Sequence, residues 1–185
     1  MPPHAPSLTD RLASTIAVAL PVLERIPHSL IALLGRFSIA AVFWTSGQTK
    51  VEGFSIDLVS GTFDLGWPRL SDSAVFLFRE EYRLPIVSPE LGAYAAATAE
   101  HLFPALLLIG LATRFSALAL LGMTAVIQFL VYPDAWALHG TWATILLYLA
   151  ATGPGRLSVD EWITAWTTRG RAGATPDPIP ARTPR

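Results

Sequence analysis

Glu100 and His101 are adjacent ionisable residues near the middle of an apolar stretch that runs from Ala93 to Ala112. The stretch is long enough to cross a bilayer, and a carboxylate at membrane depth costs several kcal/mol. Such a group persists only when it is paired, solvated by a cavity, or held neutral. A carboxyl and an imidazole in this setting can donate or accept protons or anchor a ligand, so both are candidate catalytic residues. Neighbours on a helix point about 100° apart. Glu100 shares its face with Ala93, Ala96, Ala97 and Pro104, small residues that let helices approach and turn the carboxyl toward a helix contact. His101 shares a face with Tyr94, Thr98 and Leu108, toward a neighbouring helix or a groove. The structural alternative ties Glu100 to Gln48, Trp44 or Lys50, and has His101 bridge two helices.

Trp44, Gln48, Gln128 and His139 are candidate ligand-binding residues, because they join Glu100 and His101 in one half of the expected bundle. A quinone-like ligand needs an apolar slot reached from the bilayer, aromatic walls, and one or two groups that exchange protons. Gln48 and Gln128 also suit hydrogen bonds between helices. No metal site is expected. Glu100, His101 and His139 lack HxxxH or ExxH spacing, and the only methionines are Met1 and Met123. Nothing marks room for haem, and there is no Gly-rich phosphate loop or Ser-His-Asp arrangement. With no cysteine, thiolate chemistry, disulfides and iron–sulfur ligation are excluded for this chain. No cofactor is expected in the chain itself, so redox chemistry would call for a bound quinone or a partner.

These residues must be positioned by membrane spans. Of the 185 residues 52% are hydrophobic and 15% charged, against about 25% charged in soluble domains. Between Leu91 and Gly155 only Glu100, Arg114 and Asp134 carry charge. The expected fold is all-α: a four-helix transmembrane bundle with an N-terminal interfacial helix and an ordered outer loop. Residues 1–28 read as an amphipathic interfacial helix, with Leu8, Leu12, Ile16, Leu20, Leu23 and Ile26 at helical spacing and a kink at Pro21, rather than as a secretory signal. Residues 29–155 form the bundle, with spans at about 29–48, 91–112, 115–132 and 136–152. An outer cap covers 51–89, aromatic-rich, with a short helix at Ser73–Tyr82 ending before Pro85. A short interfacial helix follows at 156–168, opened by Ser158 and Glu161 as a capping box, with Trp162 and Trp166 on one face. Residues 169–185 read as a disordered tail.

Arginines at 11, 25, 114, 156, 169, 171, 182 and 185 fall on one side, and Arg36 can snorkel to it. By the positive-inside rule both termini are cytoplasmic and the cap faces outward. The implied partner is the lipid bilayer. Near-neutral net charge argues against nucleic acid. Small-residue faces such as Ala93/Ala97 suit a homo-oligomer contact as well as internal packing.

The segments GRFSIAAVFWTSGQTKVEGF, AEHLFPALLLIGLATRFSALAL, VIQFLVYPDAW and LLYLAATGPGRLSVD resemble the DoxX family of small bacterial membrane proteins. The resemblance covers most of Leu30–Asp160 and implies a four-helix bundle in the bacterial inner membrane. It further implies an accessory role in a redox or oxidative-stress system, through likeness to a subunit of a thiosulfate:quinone oxidoreductase. Two alternatives follow from the same resemblance: a quinone-linked oxidoreductase component, or an assembly or export factor for a copper-responsive modified peptide. Redox or peptide-processing proteins are the partners so implied.

Overall fold

The computed structural model describes residues 8, 9, 14, 15, 17, 20 and 21, and then 24–57 and 60–172. Most of the expected interfacial helix over 1–28, and the tail beyond residue 172, lie outside the described residues. In chain order the elements are helix α1 (His28–Gln48), strands β1 (Val51–Asp57) and β2 (Thr62–Leu70), helix α2 (Asp72–Leu77) with a π turn over Phe78–Tyr82, helix α3 (Pro89–Ile109), helix α4 (Thr113–Val126) with a π turn over Ile127–Val131, and helices α5 (Trp136–Thr152) and α6 (Val159–Ala172).

Among the described residues three helices are long and apolar enough to cross a membrane: α1, α3, and α4 with its π extension to Val131. The fourth expected span, α5, has 17 residues and is about 25 Å long. It shares one core with the other three. Ala32, Ile39, Ala40 and Phe43 of α1 meet Leu107 of α3, Ala117 and Leu120 of α4, and Leu146 and Leu149 of α5. Alanines alternate with larger apolar side chains in this centre, while Leu34, Phe37, Leu102, Phe115, Leu118 and Leu130 point outward. That inside-out distribution suits lipid, where helices associate by close packing rather than by hiding apolar surface from water.

The cap is ordered, but it is built on an antiparallel β-hairpin that was not expected from the sequence. Its alternation is broken by a register shift between Glu52 and Phe54, where Gly53 has φ +77°, and by Gly66 and Pro68 in the facing strand. A bulge of this kind erases the period-two signal. The short helix begins at Asp72, with Ser71 Oγ accepting from Ala74 N, and its π turn ends at Arg83 in the left-handed region.

Helix α3 starts earlier than expected because Ser88 caps it and Pro89 supplies its first turn. It stops at Gly110, φ +71°. Helix α6 carries Asp160 and Glu161 in its first turn and runs to Ala172. Residues 169–172, expected in the tail, are therefore helical.

The end of the bundle away from the hairpin is held by charged side chains on backbone groups. The carboxylate of Asp160 accepts from Ala112 N at 2.8 Å and Thr113 N at 2.9 Å, capping α4 from 47 residues away. Its own N–H donates to Gly110 O. Arg114 donates to Ala150 O and Ala151 O at the end of α5. Arg36 does not snorkel. It is 1% exposed, donates to Leu157 O at 2.5 Å, and packs so close to Gly110 that a Cβ there would lie 1.9 Å from Nη1.

Asp160→Ala removes the carboxylate from two helix-terminal N–H groups and is expected to cost about 0.5–2 kcal/mol. Arg156→Ala, on an exposed side chain four residues earlier, should stay within about 0.5 kcal/mol of wild type. Thermal unfolding of both variants in mild detergent checks the difference.

Candidate functional site

Helices α1 and α3 approach most closely at Gly47. A Cβ at that position would sit 2.9 Å from Cε1 and Nδ1 of His101 and 3.1 Å from Cβ of Glu100. A side chain there would have to displace the His101 ring and crowd Glu100, so glycine suits this crossing, which puts the end of α1 level with the ionisable pair of α3. The chain then turns, Lys50 N donating to Gly47 O at 2.9 Å. Lys50 thereby directs its side chain between the helices.

Lys50 Nζ donates to Glu100 Oε2 at 2.7 Å, with both side chains 4% exposed. It also donates to Ser46 Oγ at 3.0 Å and Ser46 O at 3.2 Å. All three ammonium donors are thus used, and the cation lies against the carboxyl end of α1, where the helix dipole favours it. Of the partners the sequence allowed for Glu100, Lys50 is the one in contact. Tyr82 lies nearby, and burial, followed by the charge of Glu100, raises its phenol above the ordinary range.

His101 turns the other way. Gln48 Oε1 accepts from Ile56 N at 2.8 Å, so its amide nitrogen faces His101 Nε2 at 2.7 Å as the donor. The imidazole must then carry its proton on Nδ1, which donates to Ala97 O at 2.7 Å. Both ring nitrogens are engaged and the neutral tautomer is set by the strand. Trp44 Nε1 donates to Ile56 O at 3.1 Å. Both backbone polar groups of Ile56 are therefore satisfied by side chains of α1.

Trp44, Phe54 and His101 form an aromatic cluster with ring centres 5.1–6.4 Å apart. The cluster is one wall of an open cavity of about 570 Å³ between α1, α3 and the hairpin. Phe54, Leu65 and Arg69 of the hairpin face Tyr94, Thr98, His101 and Leu102 of α3 across it. The cavity is lined chiefly by carbon, with the Arg69 guanidinium, the Tyr94 phenol and the Thr98 hydroxyl as polar groups. A single amphiphile or a ring with a tail fits such a space.

Of the six residues singled out from the sequence, Trp44 and His101 line this cavity. Gln48 supports it from behind, and Glu100 lies on the opposite side of the α1–α3 contact, with Lys50. Gln128 and His139 form a separate buried pair. His139 Nδ1 donates to Gln128 Oε1 at 2.7 Å, and Gln128 Nε2 donates to Pro133 O at 2.7 Å. The His139 ring packs on Trp142, which packs on Phe43. That pair closes the α4–α5 corner and does not reach the cavity lining. Tyr132 donates to Glu81 and stacks edge-on to Tyr82, fastening the cap to α4. The hairpin contributors Phe54, Leu65 and Arg69 were not singled out, because nothing in the spacing of the cap reveals where its strands fold back. The one available signal was the alternation of Phe63, Leu65 and Trp67.

The family model DoxX matches residues 31–133, more than half of the chain. The matched part includes α1, the hairpin, α3 and α4, and so contains the cavity and the Lys50–Glu100 pair. No curated protein and no solved structure matches the chain.

Removing one partner of a buried ion pair leaves the other charge without compensation, at a cost of about 3–5 kcal/mol. Lys50→Met should lower the unfolding midpoint in detergent strongly, and Glu100→Gln should do so as well. The double variant should lose much less than the sum of the two. Simple additivity in that cycle would mean the pair is not coupled.

Proposed function

The chain belongs to the DoxX family, and we propose that it serves as an accessory subunit of a redox or stress-response system in the bacterial inner membrane, holding one quinone- or lipid-like molecule under its hairpin. Its family and its three apolar helices make it a multi-pass membrane protein. In this reading α5 is the fourth span, both termini are cytoplasmic and the hairpin lies on the outer side, as the arginine distribution requires.

The cavity carries the proposal. Its volume of about 570 Å³ lies in the range of small-molecule sites, and it combines aromatic walls with one cation at the rim. An amphiphile would lay its apolar part on Trp44, Phe54 and Leu102 and bring its polar head to Arg69 and Tyr94. The state of His101 favours holding over turnover. A histidine that exchanged protons with a bound quinone would first have to release Gln48 or the Ala97 carbonyl, and Gln48 is itself fixed by the strand. Redox chemistry would then fall to a partner protein, with this chain presenting or sequestering the ligand.

Native mass spectrometry of protein released from mild detergent tests the reading, with added decylubiquinone and, separately, added phospholipid. Wild type should retain a single adduct of one of them. Thr98→Phe places a ring in the cavity and should abolish retention without lowering stability by more than about 1 kcal/mol, since Thr98 is an exposed side chain. Bare wild-type protein under both additions would sink the proposal.

A further inference from the structure

The hairpin presents an apolar face that the described protein covers only at its β1 side, where Phe54 meets Trp44 and His101. Phe54 pairs with Leu65 and Ile56 with Phe63 across the two strands, so these four side chains share one face, and Trp67 lies just beyond, in the irregular stretch Gly66–Trp67–Pro68 opposite Gly53. Phe54 is turned to the cavity. Phe63, Leu65 and Trp67 are 61%, 74% and 86% exposed. The intervening and facing positions are polar: Ser55 opposite Asp64, and Asp57 opposite Thr62. In water such a strand would be an aggregation hazard.

Its level in the fold identifies what it meets. Gly47, at the end of α1, touches Glu100 and His101, which lie midway along α3. The first eleven residues of α3, roughly 16 Å of helix, therefore continue past that crossing on the hairpin side. The hairpin packs beside this part of α3, across the cavity from Tyr94 and Thr98, and reaches Leu102 just past the crossing. Tyr94 and Leu102 lie on the outward surface of a helix long and apolar enough to span. The apolar face of the hairpin is thus continuous with the lipid-facing surface of a span.

The backbone of the hairpin is also prepared for a dry setting. The Ile56 N–H and C=O on the edge of β1 are both taken, by Gln48 and Trp44. On β2, Gly66 N–H is taken by Asp64 Oδ1 at 3.1 Å, and Pro68 brings no N–H. Free strand edges do not occur in contact with hydrocarbon, and here several of the edge groups already have partners. The carboxylates of Asp57 and Asp64 limit the depth to the headgroup boundary, where aromatic residues are favoured on one side and polar groups on the other.

We infer that the hairpin Val51–Leu70 is seated in the bilayer leaflet on its side of the protein, with Phe63, Leu65 and Trp67 contacting the glycerol and upper acyl region of phospholipids. The cavity then opens toward lipid rather than toward water. This inference holds whether or not the cavity carries a ligand.

The absence of cysteine makes the test direct. Single variants Leu65→Cys and Trp67→Cys, with Asp64→Cys and Thr62→Cys as the polar-face controls, are labelled with an environment-sensitive nitrobenzoxadiazole dye. The full chain is then placed in phosphatidylethanolamine–phosphatidylglycerol vesicles. Labels at 65 and 67 should emit to the blue of those at 64 and 62 and be quenched by phospholipid spin-labelled high on the acyl chain, with little quenching by aqueous iodide. Trp67 is the most exposed of the three, so its replacement removes no packing inside the protein and keeps the test independent of folding. Equal, water-like emission and iodide quenching at all four positions would overturn the inference. So would shielding at 65 and 67 without lipid quenching but with Trp67→Cys disulfide dimers, because the face would then be a surface between copies of the chain.

Discussion

A carboxylate in the middle of a spanning helix has to be neutralised from within the protein, and Lys50 does so at 2.7 Å. The consequences reach well beyond the pair. Lys50 immediately precedes β1, so fixing its ammonium on Glu100 fixes where the hairpin begins. Gly47 must then pass within contact of the same turn of α3, since a side chain there would collide with His101. With the hairpin base and the helix crossing both set, Ile56 arrives within reach of Gln48 and Trp44, and the space left between strand and helix is the cavity. In a medium of low dielectric an ion pair has little competition from water, and both charges here have further partners or a favourable dipole. The pair is best understood as a register device: it specifies one position of the cap among several that apolar packing alone would tolerate.

The opposite end obeys the same rule with different groups. There the constraint is a tight α3–α4 turn with Gly110 and Ala112 both at positive φ, leaving the first N–H groups of α4 without helical partners. Asp160 supplies both acceptors, and the peptide before α6 is drawn against the turn so that Arg36 can reach Leu157 O. Arg36 keeps Nε and Nη1 without partners in a buried site, and Thr113 Oγ1 and Ser116 Oγ are in the same condition. Buried polar atoms of this kind are commonly satisfied by ordered water. The bundle is thus locked at each end by a charge held on the other side of a chain reversal, and its middle is left to apolar residues.

Much of this was legible in the sequence, for identifiable reasons. The long apolar helices stand out because lipid demands a continuous apolar run, and the helices α1 and α5 end where the polar flanks place them. The side chains that share faces with Glu100 and with His101 follow from helical spacing alone. Other features were hidden because they depend on contacts across the chain. Lys50 was one of three partners open to Glu100, and only the Gly47 crossing selects it. The hairpin escaped notice because its bulge at Gly53 and the Gly66–Trp67–Pro68 stretch disturb the alternation that marks a strand. Arg36 resembles any interfacial arginine until Leu157 and the Gly110 turn enclose it. Gln128 and His139 have the residue types of a binding site, yet each is the partner of the other.

The division of labour between Glu100 and His101 bears on what the site can do. Adjacent positions on α3 send one side chain to an ion pair and the other to a cavity wall, so the two do not act on a common ligand as an acid–base couple. The tautomer of His101 is set through Gln48 by a backbone N–H of the hairpin. A proton gained on Nε2 would face the amide nitrogen of Gln48, and rotating that amide would strip the acceptor from Ile56 N. Any ligand that drew the imidazole into proton exchange would also loosen the wall of its own cavity, whereas one held by shape and by Arg69 would leave both in place. A site built this way retains its occupant best when it does no chemistry on it.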